Sequence, residues 1–186
     1  MSINKKEKQL YENHLSDDQA LWFAVYTKFK REKVVDALLK EKGITAYLPL
    51  QKLTRRWERK IRVVELPLFS CYIFVKIAKK DYVKVLETTG VVGFVRFSKN
   101  LISIPEEEIQ MVKQILGEGI EIIAEPSRWN KGDEVEIVSG NLAGLKGKLV
   151  AQQGKQNFLI ELEKLGYTLQ LAIDRQLLRK IGAVAS

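Results

Sequence analysis

Residues 67–75 read Pro67-Leu68-Phe69-Ser70-Cys71-Tyr72-Ile73-Phe74-Val75, the most apolar strand-like run of the chain. Side chains alternate between the two faces of a strand. Phe69, Cys71, Ile73 and Val75 are therefore expected on one face, and Tyr72 and Phe74 on the other. A sheet built around such a strand is apolar on both sides. If helices cover one side, the other needs its own cover or stays exposed as an adhesive patch. Few small folds satisfy that demand.

The surrounding pattern supplies the rest of an α/β unit. A first strand is expected at 22–26, Trp22-Phe23-Ala24-Val25-Tyr26, after a polar lead that is flexible or weakly helical. A helix follows over about 30–42, where Val34 and Leu38, and Val35 and Leu39, repeat at a spacing of four and Gly43 suits a left-handed C-cap. A second strand is expected at 44–48, a short helix at 81–88 and a strand at 91–97. The next helix has an explicit start: Pro105 suits the first helical position, and Glu106, Glu107 and Glu108 complement the positive end of the helix dipole. Ile109, Val112 and Leu116 give it an apolar stripe.

Beyond residue 117 the pattern changes. Gly117-Glu118-Gly119 opens a stretch read as a linker, 118–127. Short strands at 134–138, 148–151, 158–162 and 168–172 then alternate with turns and no long helix, which reads as a small barrel. The fold class is α+β. It comprises a lead at 1–19, an α/β sandwich with an antiparallel sheet at 20–117, and a small SH3-like β-barrel at 128–182.

Charge and rare residues narrow the function. Thirty-one Lys and Arg against 23 Asp and Glu leave +8, a surplus that favours a polyanionic partner. Residues 52–62 carry six basic side chains and one acidic one, a local +5. Cys71 is the only cysteine and His14 the only histidine, so an intramolecular disulfide is impossible and no metal site or Ser-His-Asp device is expected. Asp17-Asp18 and Glu106-Glu107-Glu108 read as a solvated lead and a helix start, not as acid–base pairs. No stretch nears the roughly 20 apolar residues of a membrane span, and residues 1–8 lack a secretory pattern. The expectation is a cytoplasmic monomer with no membrane contact, no catalytic residues and no cofactor.

Four stretches, in order and spacing over most of 20–182, resemble the NusG family of transcription elongation factors. They are Trp22-Phe23-Ala24-Val25-Tyr26, Tyr47-Leu48-Pro49, the 67–75 strand, and Lys131-Gly132-Asp133 with Val135, Gly140, Gly144 and Gly147. The first three look like the family's N-terminal (NGN) domain and the last like a KOW domain. Gly90-Val91-Val92-Gly93-Phe94-Val95-Arg96-Phe97, with the overall length and lead, is similar to the operon-specific RfaH and UpxY branch. Alternatives are a housekeeping NusG-type factor, or a KOW-type RNA- or ribosome-binding protein.

The resemblance implies site residues. Tyr72, Phe74, Tyr26 and Phe94 or Phe97 would line a pocket for the clamp helices of the largest RNA polymerase subunit. Burial statistics alone favour a core role for any single one of these aromatics. Arg55, Arg56, Arg59, Lys60 and Arg62 are spaced to meet several phosphates, with Trp57 available to stack on a base, although a solvated hairpin explains them equally well. Lys28, Lys30, Arg31 and Lys33 form a second basic patch, Lys28 matching a position that RfaH-like proteins use on non-template DNA. Upstream DNA is the other candidate strand. Leu142 and Leu145 fall where the family presents apolar residues to the ribosomal protein NusE or the termination factor Rho, while an inward barrel position explains Leu145 about equally well. The His-Thr-Thr motif of RfaH-like proteins is missing; Asp81-Tyr82-Val83 stands in its place. Gly140, Gly144 and Gly147 are expected to allow a tight turn at positive φ.

Overall fold

The computed structural model describes residues 11–57, 60–126, 133–152, 155–162 and 166–181. In chain order it places β1 (Leu21–Thr27), α1 (Glu32–Glu41), β2 (Thr45–Tyr47), β3 (Leu50–Trp57), β4 (Lys60–Pro67), β5 (Tyr72–Ile77), α2 (Tyr82–Leu86), β6 (Val91–Phe94) and α3 (Glu106–Gly117). The second half holds β7 (Ile122–Pro126), β8 (Asp133–Ile137), β9 (Lys146–Gln152), β10 (Lys155–Leu162), β11 (Tyr167–Leu171) and β12 (Leu178–Lys180).

The first sheet runs β2-β5-β1-β6 and is antiparallel throughout, so the apolar strand β5 is internal. Its two faces have separate covers. Phe23, Val25, Ile73, Val75, Ile77 and Phe94 pack with Val35 and Leu39 of α1 and Val85 of α2. Trp22, Ala24 and Phe74 face the other way, toward Ile109, Val112 and Ile115 of α3. The helix faces follow from their spacing: Val35 and Leu39 are fully buried, whereas Val34 is 42% exposed. In α3 the fully buried third residue is Ile115, and Leu116 is only partly buried. Gly43 takes φ 74 just beyond α1, as its position predicts. Pro105 sits one place outside α3, at the N-cap.

The lead is neither helical nor loose from residue 11 onward. Asn13 bridges Leu101 in parallel, and the His14 and Leu101 amides donate to Leu101 and Glu12 carbonyls at 2.9 Å each. The His14 ring contacts Ser103 Oγ at 2.9 Å and Glu12 Oε1 at 2.6 Å, consistent with a structural histidine.

The second sheet runs β12-β8-β9-β10-β11-β7, antiparallel at every ladder. The expected closed barrel is not found among the described residues. Residues 122–126 of the expected linker form β7, which lies along the outer edge of β11 from Leu171↔Ile122 to Tyr167↔Pro126. That edge is therefore occupied by the connecting segment, and the sheet ends at β7 and β12. Gly140 and Gly144 take φ 82 and 90, as a tight turn requires. Gly147 has a different reason: a Cβ there would overlap the Leu159 carbonyl oxygen and the Phe158 ring.

Candidate functional site

The aromatic face of β5 is the first candidate. Cross-strand pairing sets Tyr26 opposite Tyr72, Ala24 opposite Phe74 and Tyr47 opposite Phe74. Opposed residues share a face, so these side chains form one aromatic surface. The Tyr72 hydroxyl donates to the Tyr26 hydroxyl at 2.6 Å, with ring centroids 4.5 Å apart. Burial, the bond to Tyr26 and the neighbouring Tyr167 hold the Tyr72 phenol protonated far above its ordinary range. Burial raises Tyr47 in the same way.

Two of the expected pocket residues lie elsewhere. Phe94 pairs with Val25 on the opposite face, stands edge-on to Phe23 at 6.2 Å and stacks on Tyr82 at 4.6 Å. It is core. Phe97 lies beyond β6, bridged to Asn100, 39% exposed and beside Gly166. Conversely, Phe69 joins the Phe74 face, its ring 5.8 Å from that of Phe74. Strict alternation puts it on the other side. Cys71 takes φ 65, so residues 69–71 turn instead of continuing the strand, and counting by twos fails there. The Cys71 amide donates to the buried Glu32 carboxylate at 2.8 Å, which fixes that turn to α1.

The C-terminal sheet covers this surface. Tyr167 of β11 stands edge-on to Phe69 at 4.9 Å and to Tyr72 at 5.7 Å. The Gln51 amide, oriented by its hydrogen bonds, donates to the Ile122 carbonyl at 3.0 Å and accepts from its N–H at 2.7 Å. Gln114 of α3 donates to the Asn141 carbonyl in the β8–β9 turn. Phe74 is left 1% exposed, while Tyr26 remains 40% exposed at the rim. Leu142 is buried and Leu145 half-buried in the same shared core, so neither is free for a partner in this arrangement. Sequence reasoning misses Tyr167, because nothing local to it signals a ring partner on another sheet.

Beside the covered surface lies a polar cluster. Glu106 accepts from Trp22 Nε1 at 2.7 Å and Lys76 Nζ at 2.9 Å, and also from Gln110. The hydrogen bond from Lys76, with those from Gln110 and Trp22, pulls the Glu106 carboxyl down to about 2. Lys113 lies over the Trp22 and Tyr47 rings at 5.6 and 5.1 Å.

The basic segment forms the β3–β4 hairpin, a separate two-stranded ribbon. Arg55 faces Arg62 directly across the ladder, and Lys60 is two residues further along that face. Like charges in that position repel. Arg56 lies on the opposite face, opposite Ile61. Arg55, Arg56, Lys60 and Arg62 are all exposed. Arg59 lies outside the described residues. Lys28, Lys30 and Arg31 are exposed in the β1–α1 connection, and Lys33 reaches Glu65 of the hairpin at 4.0 Å. Of the Asp81-Tyr82-Val83 stretch, Asp81 pairs with Lys84 and Tyr82 stacks on Phe94, leaving Val83 57% exposed.

These features define a protein of two β-rich units, the first carrying an aromatic face that the second covers through Tyr167. The NusG family profile, described as transcription termination factor nusG, matches residues 20–113. The chain belongs to the NusG family of transcription factors. A solved structure titled "Domain interaction in Thermotoga maritima NusG" is similar over 90% of this chain and 100% of that one, with 17% identity and a TM-score of 0.56. Likeness at that level speaks for the fold. Two chains of the MjSpt4:Spt5 complex, conformations A and B, are each 20% identical over 87% and 89% of this chain and 98% and 100% of theirs, with TM-scores of 0.31 and 0.32. No curated protein matches in sequence. No helix among the described residues is long and apolar enough to cross a membrane.

Proposed function

We propose that the chain is a non-enzymatic transcription elongation factor that binds RNA polymerase through the surface built by Tyr26, Phe69, Tyr72 and Phe74. The observation that carries this reading is an aromatic face on an internal strand, covered in part by a separate unit through ring contacts of Tyr167. An amphipathic partner helix, such as a clamp helix of the largest polymerase subunit, is the kind of ligand such a face accepts. Residues 20–117 act as the polymerase-binding module and 128–182 as the KOW module. When the second leaves the first, Leu142 and Leu145 become available to a ribosomal partner such as NusE, or act to exclude Rho. The hairpin and the β1–α1 loop meet the non-template or upstream DNA strand. The resemblance to the RfaH and UpxY branch supports an operon-specific antitermination role.

The test is the affinity of the full chain for core RNA polymerase, with Tyr26→Ala/Tyr72→Ala alongside. Both side chains are partly exposed, so the variant keeps the buried core. A loss of tenfold or more is expected. Unchanged affinity sinks the assignment of this face.

A further inference from the structure

The connection between β1 and α1 reads Lys28-Phe29-Lys30-Arg31, and its Phe29 is 69% exposed. No large apolar side chain among the described residues is more exposed. The loop that presents it is closed by hydrogen bonds. The Lys28 amide donates to the Gly90 carbonyl at 2.8 Å, the Arg31 amide to the Lys28 carbonyl at 3.0 Å, and the Val35 amide to the Arg31 carbonyl at 2.9 Å. Lys30 takes a left-handed conformation at φ 58, which sharpens the turn directly after Phe29. A phenyl ring is thus held out in water at the apex of a tied turn.

Its neighbours say what it suits. Lys30 Nζ lies over the Phe29 ring, 5.2 Å from its centroid. Among the described residues Lys28, Lys30 and Arg31 have no carboxylate within ion-pair distance, although other surface lysines such as Lys40, Lys79 and Lys84 do. An apolar protein surface would gain from the ring but would have to strip water from three unneutralised cations. A double helix offers the cations phosphates but hides its base faces in the stack. A single strand supplies both, with phosphates for the cations and a free π-face for the ring.

We propose that Phe29 is a stacking platform for one unpaired base of single-stranded nucleic acid, with Lys28, Lys30 and Arg31 holding the flanking phosphates. This rests on the reading that the basic loop meets nucleic acid, and it adds the residue that touches a base. Single-stranded DNA and RNA offer the same chemistry to the ring.

The experiment titrates the full chain against short single-stranded DNA and RNA oligonucleotides that carry one 2-aminopurine, over a salt series. Wild type, Phe29→Ala, Phe29→Leu, Phe29→Trp and Lys28→Ala/Lys30→Ala are compared. Phe29→Ala is expected to weaken binding roughly 5- to 150-fold, the range set by removing one base–aromatic stack, without changing the slope of log affinity against log salt. It should also abolish quenching of the 2-aminopurine. Phe29→Trp should restore both, and Phe29→Leu neither. Lys28→Ala/Lys30→Ala should lower the salt slope by about 0.7 for each phosphate that is no longer neutralised. The strand type with the tighter wild-type affinity identifies the source. If wild type binds while Phe29→Ala or Phe29→Leu matches it in affinity and quenching, the stacking role is overturned and the basic-loop reading survives. If Phe29→Ala instead loses affinity only for core polymerase, the ring belongs to a protein contact and the proposal is overturned. If wild type binds neither strand type even at about 50 mM salt, where phosphate-driven binding is strong, the nucleic-acid reading of the loop falls, and the stacking role with it.

Discussion

The Tyr167 ring stands edge-on to that of Phe69, centroids 4.9 Å apart, although the two residues belong to different halves of the chain. Aromatic pairs of this kind contribute about 0.5–1.5 kcal/mol beyond the area they bury. Tyr167 makes a second such contact with Tyr72 at 5.7 Å. Tyr167→Ala is therefore expected to loosen the contact between the two units while leaving each folded. Hydrogen exchange should show faster exchange near Tyr72 and in the β8–β9 turn, with β1 and α1 unaffected. Protection unchanged in those two regions would mean that Gln51–Ile122 and Gln114–Asn141 hold the units together without it.

Gly147→Ala is expected to be severe because the added methyl meets the Leu159 carbonyl and the Phe158 ring, which have little room to move. Overpacking of this kind costs about 2–3 kcal/mol, roughly 5–10 °C in melting temperature for a chain of this size. Gly93→Ala is the control, since a Cβ there touches nothing within 4 Å and the backbone is not left-handed. Thermal unfolding of the two variants should differ accordingly. Equal melting temperatures would show that the sheet yields at Gly147.

Glu106 links acid stability to the Trp22–Lys76 cluster. Its carboxyl lies at about 2 in the folded chain against an ordinary 4.5, so the folded state holds the charged form. A depressed carboxylate adds stability that is complete above the unfolded value and fades as pH falls toward the folded one. Glu106→Gln should therefore melt below wild type at about pH 6, and the gap should close between about pH 4.5 and 2. Because the group is partly exposed, the gap should also shrink in high salt. A gap independent of pH would point to a loss of shape at this site instead of charge.

Arg55 and Arg62 oppose one another on the hairpin, a placement that an intervening anion would relieve. Arg55→Ala/Arg62→Ala is expected to leave the melting temperature unchanged or slightly raised. The same variant should lower the salt slope of duplex DNA binding by about 0.9 for each phosphate that the two arginines neutralise. An unchanged slope would make this face of the hairpin a solvated surface only.

Much of the first unit is legible in the sequence because its signals are local. Val35 and Leu39 repeat at helical spacing, Gly43 sits at a left-handed C-cap, and β1 and β5 are apolar on both faces. Legibility fails where a tertiary choice overrides the local one. Phe69 changes faces because Cys71 turns the backbone at φ 65. Phe94 has two apolar faces to choose between, and its register with Val25 assigns it to the core under α2. Residues 122–126 read as linker because a strand on a sheet edge needs only half its backbone groups paired, and so carries little pattern of its own. The cationic candidates are visible by composition, whereas Phe29 carries no such signal, since an isolated aromatic in a loop is ordinarily core. Its exposure appears only in three dimensions.

The most direct measurement is the affinity for core RNA polymerase of wild type, Tyr167→Ala, and Tyr167→Ala combined with Tyr26→Ala/Tyr72→Ala. If the face around Tyr72 is the docking surface and the C-terminal sheet is its cover, Tyr167→Ala should bind roughly tenfold more tightly than wild type, as expected when the closed form loses about 1–3 kcal/mol. The combined variant should then lose that affinity. Equal affinity for polymerase across all three proteins, or binding by none of them, would contradict it.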